Sequence, residues 1–441
     1  MSDLLKRAHD AVALAKKHGA DDVVASIGRS RGVELEWRDG KMERVQDQTT
    51  QGLSLRLYVN GRYSANSTND LRPEALDAFV GEAVAMTQLL EPDPHRNLPD
   101  PSMYEGRADV DLDLVDDAHK SVTSSQRMTW ADELETLVRE QAPEGAPIVS
   151  VATGVSDGYG ERARVHSNGF EGYSEGTTFS RWTQITLKDE DGRRPAGFGW
   201  TASRHLEDLD DARRVATDGV ARAMQQLGAG KLNTGRYTVI VENRALGRLI
   251  GALLGPLSGA ALQQKQSLWD GKLDTQIVSD KLTLVSEPHI VRGLGSALWD
   301  GDGFATKERP ILENGVLKTY FIDHYYGNKM GVAPTTSGYN NLRWSMGDKG
   351  LAELVSDVGE GVLIDRFLGG NSNGTTGEIS LGCGGRRIVN GQLEGSVQEV
   401  NLSGHFGEIW SSIVAIGNDP MPSSSSRCPS VVFEGIQLSG V

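Results

Sequence analysis

Histidine, cysteine, serine and the carboxylates carry most protein chemistry, so their spacing is read first. A metallopeptidase helix sets two histidines on one face, with a glutamate beside one of them as general base. The nine histidines here are His9, His18, His95, His119, His166, His205, His289, His324 and His405. None is followed by Glu, and none has another His within a helical turn. The remaining route to a metal is a folded site drawn from His289, His324, His405 and a cysteine. Residues 370–374, GNSNG, match the G-x-S-x-G pattern around Ser372. That elbow needs a strand before it and a helix after it. VLIDRFL is strand-like, but TTGEISLG is not helical. The expected structure is therefore a Gly/Asn turn whose backbone donors form a shallow nest. Cys383, in GCGGRR, is expected to be an idle thiol in a turn. GLGSALWDGDG lacks the strand, G-x-G-x-x-G and helix order of a phosphate site. Asp300 and Asp302 in WDGDG have no further ligands at calcium-loop spacing, so solvated carboxylates in a turn are expected.

One stretch raises a different question. Residues 247–265 read GRLIGALLGPLSGAALQQK, with Gly247, Gly251, Gly255 and Gly259 four residues apart. Leucines fill much of the space between, which is a helical period with one bare face. Each interior Gly costs a helix about 1 kcal/mol relative to Ala, and Pro256 costs more. The glycines are expected to pack this helix tightly beneath a β-core.

The elements that must position these residues follow from pattern. Leu4, Leu5, Ala8, Ala11, Val12 and Ala15 trace one helical face with charges opposite. GVELEWRDGKMERV and GLSLRLYVNGRYSANS are β-rich, with Asp-Gly and Asn-Gly hairpin signals. LRPEALDAFVGEAVAMTQLL reads as a helix with Pro in its first turn. EPDPHRNLPDP is an exposed connector, and DLDLVDDAHKSVTSSQRMTWADELETLVREQ is expected to be helical in two pieces. A second β-rich block follows and echoes the first. WRDGK is followed by a turn at Gly61, and HSNGF by a turn at Gly192, a weak sign of an internal repeat. LEDLDDARRVATDGVARAMQQLGAG is a helix that ends in a Gly-rich stop. The boundary near residue 230 divides an N-terminal α+β domain, 1–232, from a β-rich domain, 233–441. Hairpins around Asn314-Gly315 and Asn390-Gly391 mark the second, with helical pieces in DHYYGNKMG, KGLAELVSDVGEG and HFGEIWSSIVAIG. The fold class is α+β. Antiparallel meanders with helices come first, then a barrel-like twisted sheet with packed helices.

Composition narrows the function. The 441-residue chain carries a formal charge of −15 and no basic stripe with interleaved aromatics, so nucleic acid is excluded as an expected partner. Two cysteines make no disulfide framework and fit a reducing cytoplasm. The start lacks an apolar signal region. The longest apolar run, LIGALLGPLSGAAL, is too short to span a bilayer, so no membrane is expected.

Three C-terminal stretches carry a resemblance. WDGDGFATKERPILENGVLKTYFIDHYYGNKMG, EVNLSGHFGEIWSSIVAIGND and SSSSRCPSVVFEGIQLSG resemble the TldD/PmbA family, and the likeness extends over nearly the whole chain. The family divides into a TldD type, whose zinc helix carries H-E-x-x-x-H, and a TldE (PmbA) type, which lacks it. Aligned on that helix, LLGPLSGAALQQK puts Gly255 and Ala260 at the two His positions and Pro256 at the Glu position. Gly and Ala have no donor for zinc, and Pro cannot act as a base. Cys428, in SSSSRCPS, lies near the position of a cysteine that completes the TldD metal site. Alone it is expected to be a remnant.

The resemblance therefore implies a TldE-type subunit with no cofactor of its own. Zinc is expected in a TldD-type partner, in a heterodimer, or a homodimer forms when the chain is alone. The implied substrate is an extended or unfolded peptide, such as a peptide-antibiotic leader or a labile antitoxin. Such a peptide could add to an exposed β-edge. Two other readings stand beside it: a stand-alone peptidase with an unrecognised site, and a non-enzymatic peptide-binding module.

Overall fold

The computed structural model describes residues 2–440. Its first half repeats one order of elements. α1 (Asp3–Lys17), β1 (Asp22–Arg38), β2 (Lys41–Val59), β3 (Arg62–Thr68) and α2 (Pro73–Thr87) come first. After a connector, α3 (Ser124–Gln141), β4 (Ile148–His166), β5 (Glu171–Leu187), β6 (Ala196–Ser203) and α4 (Ala212–Met224) follow. The six strands form one antiparallel sheet in the order β3-β2-β1-β4-β5-β6. β1 and β4 meet at its centre, so the two halves are related by an approximate twofold axis through that pair.

Side chains alternate across a strand, and here the two faces differ sharply. Ala25, Ile27, Leu53, Leu55, Leu57, Ala163 and Val165 are buried in one core with α1 and α2. Val151, Ile185 and Leu187 are buried with α3 and α4. Asp157 and Val155, on the same face of β4, also meet α3. All four helices thus cover one face. α4 reaches the sheet through glycine, since a side chain at Gly197 or Gly199 would run into α4 backbone at Gly219 or Val215. The first half of β2 has no neighbour beyond β1, because β3 pairs only with Leu53–Val59.

The second half opens with β7 (Gly235–Val241), α5 (Asn243–Leu254) and α6 (Gly259–Gln263). A small antiparallel sheet follows from β8 (Leu284–Glu287), β9 (Arg309–Glu313), β10 (Val316–Leu317) and, after α7 (His324–Met330), β11 (Asn341–Trp344). After α8 (Leu351–Val358) come β12 (Gly361–Ser372), β13 (Glu378–Val389), β14 (Gln392–His405), α9 (Phe406–Ser411), β15 (Ile413–Ile416) and β16 (Val431–Ser439). β14, β13, β12, β7 and β16 pair in turn, and β16 pairs back to β14, which closes a five-stranded barrel. Only β7–β12 is parallel. The α+β class and the barrel-like C-terminal sheet are therefore as the pattern implies.

Turn chemistry was read correctly. Asp39-Gly40, Asn60-Gly61, Asn314-Gly315 and Asn390-Gly391 all have positive φ at both residues, the geometry of two-residue hairpins. Two helical expectations are corrected. Residues 111–115 are not helical: they run along β5, where Thr177 N donates to Leu114 O at 2.9 Å. Helix α9 stops at Ser411, and IVAI continues as β15. There β-branched residues find a partner in β16.

Candidate functional site

The stretch 247–265 is broken rather than continuous. α5 ends at Leu254, a 3-10 turn spans Gly255–Leu257, and Ser258 restarts the chain as the N-cap of α6, accepting from Ala261 N at 3.3 Å. Pro256 explains the break, since it has no N–H to donate and its ring crowds the preceding turn. Leu246, Leu249, Ile250, Leu253 and Leu254 bury against the barrel core.

The glycines do not all do what the period suggests. Gly247, Gly251 and Gly255 are exposed, and a Cβ on any of them would meet nothing within 4 Å. The expectation that they pack the helix under the β-core is corrected: they lie on its outer side, because the leucines occupy the inner one. Gly259 is different. A Cβ there would stand 2.8 Å from Tyr326 Cβ and 3.3 Å from Ile322 Cα, and Gly259 N donates to Phe321 O at 2.7 Å. Gly247→Ala and Gly251→Ala, in helical backbone with open space around them, are expected to raise stability by about 0.5–1 kcal/mol each. Urea unfolding of the isolated chain checks this, and a loss of stability would show that this face is covered.

The GNSNG loop lies over the break. Gly374 O accepts from Leu268 N at 2.8 Å, and a Cβ on Gly374 would be 3.2 Å from Pro256 Cγ. Most of the donors around it are spent, however. Thr375 N and Thr376 N donate to Asn373 Oδ1, Asn373 N to Glu378 O, and Gly377 N to Asn373 O. The nest expected there is corrected on that ground. Ser372 ends β12, paired with Ile379, and the chain turns into β13 rather than a helix.

Among the described residues, the side chains offer no set that fits zinc. Gly255, Pro256 and Ala260 present no donor atoms on their side chains. Among the described residues no three His, Cys, Asp or Glu side chains are grouped to hold a metal. Cys428 is buried in the C-terminal core, and burial pushes its thiol up to about 11, the opposite of what a metal-bound thiolate needs. Cys383, inside the barrel, is pushed up to about 12. The three histidines are apart. His289 Nε2 lies 3.1 Å from Thr306 Oγ1, and His324 Nε2 lies 2.6 Å from Asn97 Oδ1. His405 stacks on Phe406, and its Nδ1 is buried without a partner.

Asp300 and Asp302 are not solvated, contrary to expectation. Asp300 Oδ1 accepts from the amides of Asp302 and Phe304, and its Oδ2 from Ser337 N. Asp302 Oδ2 accepts from His324 N, and Oδ1 lies 3.7 Å from Arg56 Nη1 on β2. Burial raises both carboxyl pKa values. Their loop is a dock between the halves of the molecule: Arg164 Nη1 on β4 donates to Gly301 O at 2.5 Å, and Trp299 packs edge-on against Phe170.

This dock roofs a large cleft of about 1460 Å³ on the helix-free face of the first sheet. The sequence reading missed it. Its floor is made of Gly28, Ser30 and Gly32 on β1, Thr50 and Gly52 on β2, Gly158 and Gly160 on β4, and Ser174, Gly176 and Thr178 on β5. The available signal was small residues at every second position in SIGRSRG, in GYG (158–160) and in SEGTT (174–178).

A helix-backed sheet joined to a closed barrel, with a broken helix beside the barrel, defines a two-part α+β protein. Three family models cover it: PmbA/TldA metallopeptidase domain 1 over residues 23–87, the central domain over 117–227, and the C-terminal domain over 234–440. The chain belongs to the PmbA/TldD family. It is 26% identical to the metalloprotease PmbA of Escherichia coli O157:H7, over 97% of this chain and 94% of that protein. A crystal structure from Bacteroides thetaiotaomicron, described as a candidate modulator of DNA gyrase, is 38% identical with a TM-score of 0.94, covering 99% of this chain and 98% of that one. TldE from Thermococcus kodakarensis shares the fold at 20% identity, with a TM-score of 0.87 over 98% and 100% of the two chains.

Proposed function

We propose that this chain is the non-catalytic, TldE-like subunit of a zinc metallopeptidase, completed by a TldD-type partner that carries the metal. The complex cuts extended or unfolded peptides in the cytoplasm, of the kind found in peptide-antibiotic leaders and labile antitoxins. The observation that carries the reading is the state of the helix. Its three chemical positions are Gly255, Pro256 and Ala260, and Pro256 ends α5 just where a zinc helix would need to continue. The likeness in fold to an archaeal TldE supports it. Among the described residues no helix is long and apolar enough to cross a membrane.

The test is elemental analysis of the purified chain, with light scattering and peptide cleavage on the same sample. Less than roughly a tenth of an equivalent of zinc is expected, because among the described residues no three donors are grouped to retain it. No cleavage of an unfolded peptide is expected until a TldD-type chain is added, and heterodimer formation should accompany it. Near-stoichiometric zinc that disappears in Cys428→Ser would overturn the reading, as would cleavage by the chain alone.

A further inference from the structure

The cleft on the helix-free face has a charge pattern that the zinc reading does not use. Five arginines border it, and two have carboxylate partners on the helix-bearing face, to which odd positions of β1 and β4 point: Arg29 pairs with Glu161 at 2.5 Å and Arg31 with Asp47 at 2.7 Å. The other three do not. Arg164 donates to Ser26 Oγ and Gly301 O. Arg204 donates to Thr177 O and Leu294 O, and its Nε is buried without a partner. Arg162 makes no hydrogen bond or ion pair among the described residues, and its guanidinium sits 5.5 Å from the Trp299 ring centroid.

Strand alternation keeps the obvious acids away. Glu161 and Glu175 belong to the opposite face of the sheet from Arg162 and Ser174, since Glu161 pairs with Glu175 and Arg162 with Ser174 in adjacent register. Of the acids on the cleft side, Asp113 is tied to Arg292 at 2.6 Å. Asp300 is held by backbone amides. Asp111, exposed at the rim, accepts from Asp113 N. Arg162 is exposed to the cleft and has no counter-ion, while Arg204 is half-buried, and burial lowers its pKa.

We propose that this cleft binds an extended peptide through its carboxylate side chains, with Arg162 as the principal anchor and Arg164 and Arg204 as the flanking field. The floor suits such an occupant. Glycine, serine and threonine leave the sheet surface low, so a peptide backbone can approach closely. Trp299 walls the site beside two guanidiniums, lying 5.1 Å from that of Arg164 as well, and it holds Arg162 facing inward. A planar guanidinium matches a carboxylate in two-point geometry. A space of this size exceeds what a single small anion would fill, which favours a chain over a free ion.

The experiment uses the full chain alone and reads binding, so its outcome is separable from that of the zinc and partner measurements. Fluorescence anisotropy is followed with three labelled peptides: a Gly-Glu repeat, a Gly-Gln repeat and a Gly-Lys repeat. The Gly-Glu peptide is expected to bind, with affinity falling as salt is raised, and the other two are not. Arg162→Gln is expected to weaken binding about tenfold or more, while its thermal unfolding stays close to that of the unaltered chain, because the side chain is exposed and makes no hydrogen bond among the described residues. Arg213→Gln, on an exposed turn of α4, should leave binding unchanged. Equal binding of the Gly-Gln peptide would overturn the proposal. So would an Arg162→Gln chain that binds as before, a salt-independent affinity, or displacement of the Gly-Glu peptide by millimolar inorganic phosphate or by single-stranded DNA.

Discussion

Arg127→Ala is expected to lower the stability of the chain by about 3–5 kcal/mol, among the largest losses any single substitution here should cause. Arg127 projects from α3 and is 4% exposed; its Nε and Nη2 donate to the two carboxylate oxygens of Asp157 on β4 at 2.5 and 2.8 Å. Asp157 is itself 8% exposed. Removing the guanidinium leaves a buried carboxylate with its main partner gone, and that residual charge, more than the lost pair, sets the cost. The double substitution Arg127→Met with Asp157→Leu should therefore recover most of the loss. Urea unfolding of the two variants decides it. A single variant that loses less than about 1 kcal/mol, or a double variant no better than the single one, would show that Asp157 finds water or another partner. The pair matters beyond stability because it fixes α3 to the helix-bearing face of β4, the strand whose other face supplies Arg162 and Arg164.

Much of this architecture was legible because it is encoded locally. Asp39-Gly40 and Asn390-Gly391 announce hairpins, since few other residues tolerate positive φ at both positions. Buried leucines at helical spacing announced α5. What the period could not tell was which side the glycines took. Gly247, Gly251 and Gly259 share one spacing, yet only Gly259 meets a neighbour, because Pro256 resets the helix direction between them. Asp300 and Asp302 read as a solvated turn because burial comes from the domain that lies over them, which no local pattern records. The same is true of the cleft. Gly28, Ser30 and Gly32 look like a weak strand, and their meaning appears only when Gly158, Gly160 and Gly176 are brought alongside them in register.

The second large effect is expected from acid, through His166. This side chain is 3% exposed at the end of β4, with Phe170 at 4.6 Å, Tyr104 Oη 3.0 Å from Nδ1, and Nε2 buried without a partner. Burial, with a contribution from Arg56, lowers its pKa to about 3. The folded state thus holds the neutral ring, while the unfolded chain takes up a proton near the ordinary histidine value of about 6.5. The sign follows. The stabilisation is full above about pH 6.5 and is lost as pH falls toward 3, at up to about 1.4 kcal/mol per pH unit, or on the order of 2 kcal/mol by pH 5. His166→Gln removes the titration but keeps a polar side chain. Its stability should be lower than that of the unaltered chain at pH 7.5 and should change less between pH 7.5 and 5, a range in which most carboxylates remain ionised. Parallel slopes for the two proteins would sink the assignment. Because His166 and Phe170 sit under Tyr104 and Trp299, the strain of protonation falls on the contact between the first sheet and the loop that roofs the cleft. Acid should therefore loosen that dock before it unfolds the barrel, and hydrogen exchange at pH 5 should rise first in residues 296–304.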